Sequence, residues 1–260
     1  MRWFFCLLSV SVVSTVNAQQ YSADQLIAAV KAGAPEGGVY ARLRMEHSIG
    51  GAKASVLQVQ VKRRPAPDGG TDQLYQLLYP KERKGEGLLI HIEGRKFSGA
   101  TFSPASGVRN LTGSSADDSM FGTALTIEDL RASFLTWSSQ TIVGQEKIGS
   151  VPCTIVESKP DSSGKGAICA RSWIDSARLV TLRVQFFIGG SDKVVKDVET
   201  HRVSRGKSGR YLPVSFTVTN HETGASTKVE GVRSDSGIAY TDADFSAEAL
   251  KVVTGASGSE

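Results

Sequence analysis

From Val39 to Arg233 the chain alternates apolar and polar residues in short runs, cut by Gly, Asp and Ser turns. VYARLRMEH, SVLQVQVKRR, LVTLRVQFF and YLPVSFTVTN are the clearest of these runs. In the second, Leu57, Val59 and Val61 fall on one face, and Gln58, Gln60 and Lys62 on the other. Successive strand side chains point to opposite faces, so each run reads as a half-buried strand. Strands of this kind build an antiparallel sheet with one apolar face, and something has to cover that face. What covers it is the functional question.

The runs predict strands at about 39–47, 55–63, 73–80, 87–93 and 96–103, and again at about 142–148, 151–158, 166–173, 179–187, 193–204, 211–220 and 225–233. Their spacing indicates a barrel, a sandwich or a strongly curled sheet. A short helix precedes them, with Ser22 and Gln25 as a capping box, Leu26, Ile27 and Val30 as its apolar stripe, and Gly33 and Pro35 at its end. Residues 104–125 are rich in Ser and Gly and read as one long loop; loops of that length in a compact domain are usually functional. A second helix follows, with Thr126 as N-cap, Asp129 at the box position and Leu130, Phe134 and Leu135 on one side. It is either a simple cover on the sheet edge or a lid over a cavity. The chain after Phe245 is small and polar, and reads as a fraying end.

Arg2, the apolar run Trp3–Val13 and the small residues around Val16-Asn17-Ala18 have the layout of a secretory signal peptide cut after Ala18. An uncleaved anchor is the rival, but the run is short beside the roughly 20 residues a membrane span needs. Cys6 lies inside the apolar run, which argues against a lipid-anchored N-terminus. The expected organisation is a cleaved signal at 1–18, one β domain over 19–250 and a flexible tail at 251–260, in an exported protein. Removal of the signal leaves Cys153 and Cys169 on either side of the turn KPDSSGKG. In an oxidising compartment the two read as a cross-strand disulfide, stabilising by roughly 3 kcal/mol; two buried thiols are the alternative.

Catalytic patterns are weak. Ser162-Ser163-Gly164-Lys165 has S-x-x-K spacing and Lys207-Ser208-Gly209 a K-[ST]-G form, but that chemistry needs the Ser to open a buried helix, and here it lies in a turn. Ser204 and Lys207 repeat the spacing in another turn. His47, His91, His201 and His221 are scattered, and Asp117-Asp118 is better read as charge on the loop than as an acid–base pair. Two cysteines lack the further ligands of a structural zinc. The net charge of +4 is spread along the chain, and Lys62-Arg63-Arg64 reads as a solvated strand end. With aromatics at 7%, a nucleic-acid surface is not expected. The expectation is a non-enzymatic binding module with no metal and no cofactor.

Several segments carry a family resemblance: LLYPKERKGEGLLIHIEGRKFSGATFSP, then SSADDSMFGTALTIEDL, VPCTIVES and RSWIDSARLVTLRVQF, after a signal peptide and an opening helix. In order and texture the chain resembles the outer-membrane lipoprotein-sorting proteins of the LolA/LolB-like superfamily over about residues 40–250. The resemblance implies an unclosed antiparallel β-barrel or strongly curled sheet of about eleven strands, with two or three short helices over its concave face. It also implies a periplasmic carrier that shelters acyl chains of lipids or lipoproteins, with a donor or acceptor protein in the envelope membranes, working as a monomer. In such carriers an early-strand Arg holds the lid. Arg42 and Arg44 lie on an early strand here, on its polar phase, and neither maps onto that Arg.

Under this reading Leu43, Met45, Leu57, Val59 and Val61 line the concave face from the first strands, and Leu182, Val184, Phe186, Val214 and Phe216 from the later ones. Met120, Phe121, Leu130 and Phe134 form the mobile cover. The competing expectation is an envelope module whose barrel is fully packed and takes no ligand. An exported hydrolase would need convergent Ser, His and carboxylate groups.

Overall fold

The computed structural model describes residues 21–33, 37–161, 168–191 and 193–254. The signal segment 1–18, Ser162 to Lys165 of the S-x-x-K turn and residues 255–260 of the tail lie outside the described residues.

The first six strands are β1 (Gly38–Ile49), β2 (Ser55–Pro65), β3 (Thr71–Tyr79), β4 (Gly87–Glu93), β5 (Lys96–Ser103) and β6 (Gly107–Asn110). The remainder are β7 (Ser139–Ile148), β8 (Val151–Lys159), β9 (Ile168–Asp175), β10 (Val180–Ile188), β11 (Val194–Arg205), β12 (Tyr211–Asn220) and β13 (Ala225–Ile238). All thirteen form one sheet in the order β6-β5-β4-β3-β2-β1-β13-β12-β11-β10-β9-β8-β7. Neighbours pair antiparallel, and β6 and β7 are the two edges, so the sheet is not closed. It is strongly curled: Leu88 and Ile90 of β4 share one core cluster with Val218 of β12, five strands away across the sheet. The expected architecture is present, with thirteen strands rather than about eleven. The additional strand, β6, is four exposed residues inside the predicted loop, and it is too short and too polar to show a period of two.

Both helix starts follow the predicted chemistry. In α1 (Ala23–Lys31) the Ser22 hydroxyl accepts from Gln25 N–H at 3.2 Å, and Gln25 Oε1 accepts from Ser22 N–H at 2.9 Å. Its Leu26 and Ile27 bury against Val156 and Ile174, covering β8 and β9. In α2 (Ile127–Arg131) Thr126 and Asp129 exchange the same pair of bonds, at 3.3 and 2.7 Å. This helix is shorter than predicted. Ala132 stands in the left-handed region at φ 46°, and residues 133–136 continue as a tight three-residue-per-turn coil.

The expectation of a single apolar face needs correction. β3 is buried along most of its length on both sides, because the chain end lies across the outer face of β2 to β4. Residues 242–245 and helix α3 (Ala247–Lys251) dock there, so the chain does not fray at Phe245. Leu250 is fully buried, and a Cβ on Gly87 would stand 2.7 Å from its Cδ1, so the strand needs a glycine where the helix approaches. The outward residues of β2 and β3 are polar because their partners are backbone. Gln76 Nε2 donates to the carbonyls of Ala249, Leu250 and Val252 at 2.9, 3.3 and 3.1 Å, and Gln60 Nε2 donates to Thr254 O at 2.8 Å. Lys62, 1% exposed, meets Asp244 at 3.2 Å and Thr254 Oγ1 at 3.0 Å. Lys62-Arg63-Arg64 is therefore not a solvated strand end. Lys62 and Arg64 hold the strap, Arg64 through Asp242 at 2.6 Å, and Arg63 points the other way.

The disulfide is also corrected. β8 and β9 do form a hairpin, but Ser158 pairs with Ala170 and Thr154 with Ile174. That register sets Cys153 and Cys169 six residues out of step, about 20 Å at strand rise, far beyond the roughly 7 Å limit for bridging. The two do not bridge, and burial pushes both thiols up. Alkylation under denaturing, non-reducing conditions should label Cys153 and Cys169 fully; protection of either until reductant is added would contradict this geometry. A Gln76→Leu variant should lose about 1–3 kcal/mol in denaturant unfolding and speed hydrogen exchange at 247–252, because three carbonyls lose their donor.

Candidate functional site

The concave face is built by residue parity. Leu43, Val59 and Leu77 stand in register across β1, β2 and β3, and Met45 faces Leu57 on one side and Val229 on the other. Phe216 faces Val229 from β12. Met45, Leu57 and Val59 are buried in one core cluster, with Leu43, Val61 and Phe216 packed against it. Met120, Leu125 and Ile127 of the segment between β6 and β7 are buried in the same cluster, and Phe121 and Leu130 pack on its margin. Phe134 meets Phe186 edge-on, ring centroids 5.5 Å apart. Most of the lining and cover residues named from the sequence thus meet across one interface, and the cover fills the middle of the concave face.

Five lie apart from the main cluster: Phe134 and Phe186, which pack on each other, and Leu182, Val184 and Val214. Val184 is buried on β10 but is not part of it. Leu182 joins a separate cluster with Cys153, Trp173 and Val180. Against β9, β10 slips by one residue between Thr181 and Arg183, and such a bulge re-aims the side chains around it. Val214 is half-buried and lines a groove with Val39, Leu212 and Ser234. Arg42 and Arg44 face outward, Arg42 donating to the Tyr40 hydroxyl at 2.9 Å and Arg44 pairing with Glu46.

Sequence reasoning missed the contacts that hold the cover. Lys196 Nζ of β11 reaches Asp129 Oδ2 at 2.9 Å, Oδ1 at 3.0 Å and Thr126 Oγ1 at 3.3 Å, with both charged side chains largely buried. The α2 capping box is thereby tied to the sheet. Thr227 Oγ1 accepts from Ala124 N–H at 2.9 Å and lies 2.9 Å from His47 Nδ1. Arg83 Nη1 donates to Phe121 O at 3.2 Å. The inward phase of Lys196 on β11 was the available signal, since a lone cation on an apolar face calls for a partner.

The open space sits at one end of the concave face. A cavity of about 690 Å³ is walled by Val30, Ile92, Leu130, Leu135, Leu179 and Leu212, between α1, the end of α2 and the sheet. Arg63 also lines it, in phase with Val59 and Val61 on the concave side of β2. Burial lowers the Arg63 pKa, and burial likewise raises that of Tyr75, which lies on the neighbouring strand opposite Val61 on the same face. A second groove of about 330 Å³ lies between β4 to β6 and the cover at Met120 and Phe121. Among the described residues no group of His, Cys, Asp and Glu has the arrangement to hold a metal ion, and no helix is long and apolar enough to cross a membrane.

Residues 69–252 match a family model whose description reads "Uncharacterized protein". The chain belongs to that family. No curated protein matches the sequence. Among solved structures, one described as an outer-membrane lipoprotein-sorting protein domain from Vibrio parahaemolyticus superposes with a TM-score of 0.79 at 18% identity, covering 88% of this chain and 98% of its own. A DUF1329 family protein from Desulfovibrio piger gives 0.79 at 19% identity, covering 88% and 97%. A LolA superfamily protein from Nitrosomonas europaea gives 0.66 at 14%, covering 87% and 98%. These likenesses show a shared fold over nearly the whole of each neighbour.

A Lys196→Met variant should loosen the cover without unfolding the sheet. Hydrogen exchange over 120–131 should accelerate by about tenfold or more, as loss of a charge-assisted pair worth about 1.5–3 kcal/mol requires, while β1 to β3 stay protected. Equal exchange in variant and parent would show that Lys196 does not hold the cover.

Proposed function

We propose that the protein is a non-enzymatic carrier of acyl chains, from lipids or lipoproteins, working in the periplasm in outer-membrane lipoprotein sorting. The observation that carries this reading is the cavity of about 690 Å³ between the concave face and its cover. Its size falls within the roughly 300–1,000 Å³ of small-molecule sites, and Val30, Ile92, Leu130, Leu135, Leu179 and Leu212 give it an aliphatic stretch beside polar wall. Each acyl CH₂ moved there from water contributes about 0.8 kcal/mol. The fold shared with a LolA superfamily protein and a lipoprotein-sorting domain supports the same reading, and the signal-like N-terminus supports export.

Release of an apolar cargo needs a cover that opens. Phe121 and Ala132 adopt left-handed backbone at φ 55° and 46°, and they bracket the segment that carries Leu125, Ile127 and Leu130. Non-glycine residues in that region carry a strain of about 1–3 kcal/mol, which favours a segment that exchanges between two arrangements. The cover leaves the core by breaking a few polar ties rather than a strand ladder. Donor and acceptor proteins in the envelope membranes would supply and take the cargo, with the carrier acting as a monomer.

One observation favours the rival reading of a filled, ligand-free envelope module: Met120, Leu125 and Ile127 occupy the centre of the concave face. The two are separated by mass spectrometry of lipids extracted from protein purified out of the periplasm, together with titration of a fluorescent fatty acid. The carrier reading expects co-purified lipid or saturable uptake. Absence of both would leave the filled module.

A further inference from the structure

A buried guanidinium nitrogen without an acceptor is rare, because the lost hydration of a charged donor is not recovered. Among the described residues three buried side-chain polar atoms lack a partner, and two of them are Arg63 Nη1 and Arg131 Nε. Both side chains line the same cavity of about 690 Å³. Arg131 is otherwise committed: it pairs with Glu128, donates to the Arg95 carbonyl and stacks on Phe97 at 4.5 Å. Among the described residues, no carboxylate stands against Arg63. The cavity wall carries Lys31, Arg63 and Arg131 and, among the described residues, no acidic residue. Glu128 balances Arg131, so the uncompensated charge on this wall is the half-buried guanidinium of Arg63, with the Nε–H of Arg131 as a further donor.

An aliphatic pocket with an unpaired guanidinium on its wall matches one kind of molecule. The flat fork of donors fits the oxygens of a carboxylate or phosphate, and a neutral ester leaves the positive charge uncompensated. We propose that this cavity seats the anionic head of an amphiphile, carboxylate or phosphate, on Arg63, while its chain lies along Leu130, Leu135, Leu179 and Leu212. The inference rests on the carrier reading and narrows it: the cargo is an acid-headed lipid rather than a neutral acyl glyceride. Selection comes from charge compensation, since chain burial is the same for an acid and its ester.

Calorimetric titration of the mature full-length protein, depleted of lipid, tests this with hexadecanoate, methyl hexadecanoate and inorganic phosphate as probes. The parent should bind hexadecanoate at least about tenfold more tightly than its methyl ester, as a charge-assisted bond in a buried site requires. Arg63→Gln should bring that ratio close to one with ester binding retained, and Arg63→Lys should keep part of the preference. Phosphate alone should not displace hexadecanoate. Equal affinity of the parent for acid and ester overturns the inference and leaves the carrier reading standing. Phosphate binding as tight as that of hexadecanoate overturns it too, since the site would then hold free anions. Failure of both long-chain probes removes the carrier reading and the inference together. Removing an uncompensated, half-buried charge should leave the melting temperature of Arg63→Gln unchanged or raised; if that variant does not fold, the acid-to-ester ratios of the parent and of Arg63→Lys decide.

Discussion

β1 and β13 run side by side from Gly38 opposite Ile238 to Ile49 opposite Ala225, and the two strands come from opposite ends of the chain. Every other ladder joins strands that are consecutive in sequence. Without this one the chain would be two meanders, β1 to β6 and β7 to β13, each with an apolar face too narrow to enclose anything. The ladder joins them into one sheet, and the right-handed twist of thirteen strands curls that sheet around its apolar side. The cover, the outer strap and the cavity all take their positions from that curl.

Two layers then divide the work. On the outer face of β2 to β4 the C-terminal strap is held by buried polar side chains, Gln60 and Gln76 on backbone carbonyls and Lys62 on the Asp244 and Thr254 side chains. Such contacts tolerate little movement, since each lost bond leaves a buried group unmet. On the inner face the cover is held mostly by apolar contact, which is non-directional, and by a few polar ties at Lys196, Thr227 and Arg83. A rigid outside and a more loosely tied inside support the carrier proposal.

The cavity shows where packing and charge disagree. Leucines and other aliphatic side chains form part of its wall, yet a guanidinium stands among them with a donor unused. A fold under selection for stability alone would place an apolar residue at position 63. Under the proposal made above, a bound anion offsets the cost of keeping an arginine there.

Period-two alternation was enough to place twelve of the thirteen strands and the phase of most inward residues, because half-burial forces that pattern on any chain. The Ser22 and Thr126 capping boxes were equally legible, since a cap is a contact over three residues. Local pattern could not say that β2 and β3 are covered on both faces, because Gln60, Lys62 and Gln76 look like solvent-facing residues until the distant chain end arrives with its carbonyls. Nor could it set the β8–β9 register, which a turn of unknown shape decides and which keeps Cys153 and Cys169 apart. The same holds for Lys196 with Asp129, and for Arg63 in its cavity. Each depends on a neighbour supplied from far along the chain, and only the curl of the sheet decides which residues become neighbours.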